Sequence, residues 1–70
     1  MTKAKMLETM ITEYIDSMTT YKFFNDTMND SSTAAKYFTE AIQTEYLIHK
    51  LFGSEVDVFG AYLDWVDAQS

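Results

Sequence analysis

Apolar residues recur along the first third of the chain with alternating steps of four and three. Leu7, Ile11, Tyr14, Met18 and Tyr21 form one row, flanked by Met10, Ile15 and Phe24. A residue in a helix turns about 100° from its predecessor, so this row is one stripe of an amphipathic α-helix. Glu8, Thr9, Thr12, Asp16, Thr19 and Thr20 occupy the other side, where water solvates them at no cost. Phe23 lies on the polar side and Asn25 interrupts the stripe, so the pattern predicts a helix over 4–24 that weakens or turns near Phe24. Asn25 is read as a turn or cap residue, because Asp26 and Asn29 follow it closely.

The segment from Asn25 to Thr33 is dense in residues whose side chains bond to nearby backbone, and it marks the one long connection. Asp30, Ser31 or Ser32 can cap a second helix over 32–52, and Gly53 stands where a helix ends on a left-handed residue. Ser54-Glu55-Val56-Asp57 fits a shortened capping box, which predicts a third helix opening at once and covering 55–68. In that helix Val56, Phe59, Leu63 and Val66 form one row, Val58, Tyr62 and Trp65 another, and Asp57, Asp64 and Asp67 gather on the reverse. No repeat, linker or low-complexity tract divides the chain, so residues 1–70 are read as a single all-α domain, a compact three-helix bundle.

Composition strengthens the helical reading. Proline is absent and glycine occurs only as Gly53 and Gly60, which leaves few residues for hairpin turns. A content of 47% hydrophobic residues is too apolar for a disordered chain despite a net charge of −6. Seventy residues without cysteine have neither a large core nor a disulfide to stabilise them. Good packing or a partner has to supply what is missing.

The second helix points to the partner. Its apolar residues, among them Tyr37, Phe38, Ile42, Tyr46 and Ile48, cover more of its circumference than one neighbour requires. It is therefore expected to be central or to dimerise. Leu47 lies outside even this wide stripe, and Phe23, Tyr46 and Leu47 together are candidates for an apolar contact or dimer face. Five tyrosines and five methionines are side chains that adapt well to interfaces, although packing alone also accounts for most of them.

Charge narrows the partner class. Eleven acidic residues face five lysines and no arginine, a balance that repels phosphate backbones and lacks the guanidinium fork that reads guanine. The stretch from Tyr46 to Trp65 has the outline of a helix-turn-helix, yet its last helix carries Glu55, Asp57, Asp64 and Asp67 with no cation, so direct nucleic-acid binding is not expected. The same four carboxylates form a candidate partner-binding face that could imitate phosphates toward a basic protein. A solvated face that only keeps the domain soluble is the plainer explanation.

Chemistry finds little to use. Glu45 and His49 lie four apart on the second helix and are expected to form a buried polar pair that fixes packing, with no second ligand helix for a metal. There is no cysteine, phosphate loop or HExxH motif, so no enzyme activity, metal or cofactor is expected. Residues Met1 to Lys5 lead into an amphipathic pattern rather than a signal-peptide core, no apolar run reaches membrane-span length, and a cytoplasmic location is expected. The functional expectation is a small acidic non-enzymatic regulator or inhibitor that binds a basic protein, a nucleic-acid-mimicking inhibitor of the phage or mobile-element anti-defence kind being one version. The alternative is a structural homodimer or assembly subunit.

Overall fold

A computed structural model describes residues 2–70 and contains three α-helices and no strand among them: α1 (Lys3–Lys22), α2 (Ser31–Phe52) and α3 (Val58–Gln69). Thr2 caps α1 by accepting from the Lys5 N–H at 3.1 Å. On the solvent side of α1, the hydroxyls of Thr9, Thr12, Thr19 and Thr20 donate to carbonyls four residues back. These β-branched residues thus satisfy their own polar groups within the helix, and the apolar stripe is left to pack.

The expected break near Phe24 takes the form of a change of helix type. Regular α-helix stops at Lys22, and the chain then winds on as a π-helical turn over Phe23–Thr27. The Met28 N–H donates to the Phe23 carbonyl at 3.1 Å, and the Asp30 N–H reaches the Phe24 carbonyl at 2.8 Å. One extra residue per turn resolves the misfit at Phe23 and Asn25, because it brings Phe24 round to stack on Tyr37, ring centroids 5.6 Å apart. Asn29 then reverses the chain with φ 52°, a left-handed conformation that asparagine tolerates better than most residues.

Asp30 caps α2, as the sequence suggested. Its carboxylate accepts from the Thr33 N–H at 3.1 Å and from the Thr33 hydroxyl at 2.7 Å. Those bonds, the hydroxyl's first, hold the Asp30 pKa below its ordinary value. At the other end Gly53 has φ 109° and ψ 149°, so it occupies the mirror-extended region rather than the left-handed helical one expected. Only glycine adopts it readily.

The third helix starts later than predicted. Ser54 does not open it; residues 54–56 form a turn, and Asp57 is the cap, accepting from the Gly60 N–H at 2.8 Å. Delay has a packing reason. In a helix begun at Glu55, Val56 would sit well around from Val58 and Tyr62, whereas in the turn it leans on the core beside them.

The α1–α2 pair is antiparallel and carries most of the packing. Tyr21 meets Phe38 near one end, and Lys3 lies over the Phe52 ring at the other. The core comprises Tyr14 and Met18 of α1, Ala41 and Ile48 of α2, and Val58 and Tyr62 of α3, with Ala34 also buried. On α2 the buried residues Ala34, Ala41 and Ile48 recur every seven positions, a narrow ridge whose small members let α1 come close. The third helix rests on α1 and has little contact with α2. No helix among the described residues is long and apolar enough to cross a membrane.

Candidate interaction surfaces

Twelve large apolar side chains in the described residues are more than a third exposed, against seven buried apolar residues. The surface area is 4908 Å², where a compact monomer of this mass presents about 4,500 Å². The radius of gyration is 12.6 Å, where about 11 Å is usual for the length. The longest extent, 38 Å, follows the long α1 and α2, and α3 adds exposed apolar surface beside them.

Two relations place α3 beside α2, one in the turn before it and one through Tyr14 of α1. The His49 Nε2 lies 2.9 Å from the Val56 carbonyl, and because a carbonyl only accepts, this nitrogen carries the proton. Further along, the buried Tyr14 of α1 has both Glu45 of α2 and Tyr62 of α3 as electrostatic neighbours. The flank of α2 that carries Glu45 and His49 is therefore the flank beside which α3 lies. Next on that flank come Phe38, Ile42 and Tyr46, spaced by four and exposed. On α3, the row adjoining buried Tyr62 is Phe59, Leu63 and Val66, also exposed. Helical sense turns both rows toward the open corner between α2 and α3.

The expected buried pair of Glu45 and His49 is corrected. Both side chains are half-buried, no ion pair joins them, and the partner of His49 is the Val56 carbonyl. Local spacing on one helix permitted the pair, but the turn after Gly53 offers the imidazole a fixed acceptor instead. His49 thereby ties α2 to the start of α3.

Other predicted site residues separate. Phe23 stands at the π-helical end of the bundle, edge-on to Phe24 at 5.3 Å. Tyr46 belongs to the corner, with Lys50 Nζ 5.4 Å from its ring centroid. Leu47 points to the opposite side of α2, so the three do not form one patch. Of the acidic residues, Asp57, Asp64 and Asp67 share the outer face of α3, while Glu55 lies in the preceding turn. Asp57 is also occupied as the cap of that helix.

One concavity was not evident from single helices. A shallow groove of about 440 Å³ runs between α1 and α2, where Glu13, Asp16 and Glu40 surround Ser17, Thr44 and the exposed Leu47. It exists because the antiparallel register sets residues 13–17 opposite 40–44, a relation visible only once the two helices are paired. No group of three or more His, Cys, Asp or Glu residues among the described residues is placed to hold a metal ion.

Among the described residues, the one alkaline group with a displaced pKa is Tyr14, raised chiefly by burial, then by the negative charge of Glu45 and by Tyr62. Below about pH 10 the phenol is neutral in folded and unfolded chains alike. Above it the unfolded chain loses the proton first, so stability falls as pH rises toward the folded-state pKa. Melting curves of the parent and Tyr14→Phe between pH 8 and 11.5 should diverge at the alkaline end, with the phenylalanine variant losing less. Parallel curves would contradict this placement of the hydroxyl.

No protein-family model, curated protein or solved structure matches this chain.

Proposed function

We propose that this chain is a small acidic protein without enzymatic chemistry that binds, and so regulates or inhibits, a larger protein with a basic surface. The observation that carries this reading is the exposed pair of apolar rows on α2 and α3 within a molecule of net charge −6. Apolar side chains gathered on one side are stabilised when a partner removes them from water, by about 25 cal/mol per Å² buried. The carboxylates raise the rate at which a cationic surface is met and disfavour acidic competitors.

A homodimeric assembly subunit is the second reading, favoured by the same apolar rows. Charge opposes it, since each copy brings the same sign. Light scattering together with retention of proteins from a lysate at low salt separates the two. A monomer that retains a basic protein is the expected outcome, and a dimer that retains none would reject the regulator. Imitation of phosphates is tested by replacing Asp57, Asp64 and Asp67 with asparagine. Asparagine is itself a good helix cap, so Asp57→Asn leaves α3 capped and isolates the charge. Weaker binding with a shallower salt dependence is expected if these carboxylates meet the partner, and unchanged binding at every salt concentration removes mimicry.

A further inference from the structure

The protein-binding reading leaves the occupant unspecified, and the shape and charge of the corner specify it. We propose that the open corner between α2 and α3 receives a cationic amphipathic helix of the partner protein, which lies along α3 and completes a four-helix arrangement.

The walls of the corner are Phe38, Ile42 and Tyr46 on α2 and Phe59, Leu63 and Val66 on α3, each between 39% and 60% exposed. They are six large side chains without a formal charge, in two rows with spacings of three and four. A helix whose own apolar residues recur at three and four positions presents a matching ridge, whereas an extended strand would offer alternate side chains to a surface with no free backbone edge. The 12 residues of α3 span about 18 Å, room for about three turns of guest helix.

Charge selects the sign of the guest. From Gly53 to the end of α3 there are four carboxylates and no cation, and the one lysine at the α2 rim, Lys50, is engaged over the Tyr46 ring. A second copy of this chain would bring a net charge of −6 against −6. A helix with lysines flanking its apolar ridge reaches Asp67 and Asp64 on the outer face of α3, next to the Leu63 and Val66 row, while its ridge fills the corner. Its lysine stems can also cover the apolar edges and keep their ammonium groups in water.

The test is calorimetric titration of the full chain with two synthetic 18-residue peptides of identical leucine and lysine content. One has leucine at helical spacing, and the other is scrambled. Expected are one-to-one binding of the ordered peptide to a monomer, a gain in helical signal, and affinity at least about tenfold above the scrambled peptide. Ile42→Asn and Leu63→Asn should each weaken binding about tenfold. Leu47→Asn, equally exposed but on the other side of α2, should not. All three sites are on the surface, so retained melting temperatures confirm that the variants fold.

Equal binding of both peptides, or an equal effect of Leu47→Asn, overturns the proposal, since charge attraction alone would then account for the heat. A free-state dimer that Ile42→Asn and Leu63→Asn dissociate also overturns it, with a second copy as the occupant. If a basic lysate protein is retained while the ordered peptide does not bind, the helical guest fails and the protein-binding reading stands. If neither binds, both fail.

Discussion

Ile48→Ala should lower the melting temperature by roughly 8 to 40 °C and leave a substantial unfolded population at 37 °C. Ile48 is fully buried at the point where α2 meets α1 and where the core is joined by Val58 and Tyr62 of α3. Truncating a buried isoleucine to alanine costs about 2–5 kcal/mol, because transfer free energy is lost and the cavity closes only in part. A domain of this length has a total stability of about 3.5–10 kcal/mol. Each kcal/mol corresponds to about 4–8 °C at this size. The comparison is Leu47→Ala, one residue away and 50% exposed, which should stay within about 0.5 kcal/mol of the parent. Chemical denaturation with circular dichroism measures both, and similar midpoints for the two variants would show that the core is not centred on this ridge.

The opposite change at Ala41 should also be damaging. Ala41 has no exposed surface and occupies the middle of the Ala34, Ala41, Ile48 ridge, where it lies in the same core cluster as Tyr14 and Met18. Ala41→Leu adds three carbons to a space already filled by protein, and overpacking of this kind typically costs about 1–3 kcal/mol. The strain appears as a separation of α1 from α2, since their close approach depends on the small side chain. Ala35→Leu is the control: it adds the same group to an exposed position on the same helix and should be nearly neutral. Binding of a hydrophobic dye should increase for Ala41→Leu alone. A leucine at 41 that raised the melting temperature would mean that an unfilled cavity lies beneath it.

Much of the architecture was legible because it follows from short-range pattern. The row from Leu7 to Tyr21 announces α1, and the run Asp30, Ser31, Ser32 announces the start of α2 without saying which of the three is the cap. The end of α1 was half legible: Phe23 and Asn25 marked a break in period, but a π-helical turn and a simple stop disrupt the stripe in the same way. At the start of α3, Ser54 and Asp57 are both good caps, and the choice between them depends on whether Val56 reaches the core. That is a tertiary fact.

The surfaces were less legible than the helices for the same reason. Glu45 and His49 are neighbours by spacing, yet the acceptor for His49 lies seven residues on, across a turn whose course is set by Gly53. Glu13, Asp16 and Glu40 are unremarkable on their own helices and form a groove only through the register of α1 against α2. The two apolar rows of the corner were each present in the sequence. Their joint exposure depends on the angle at which α3 leaves the bundle.

That angle is fixed mainly at one end, by the mirror-extended glycine, the imidazole tether and the aspartate at the helix start. Beyond Tyr62 the last helix has little contact with the second, so what holds it along the bundle is its seat on the first, where Val58 and Tyr62 join Tyr14 and Met18. The mouth between the last two helices is thus framed chiefly by that seat rather than by a direct clasp between its own walls.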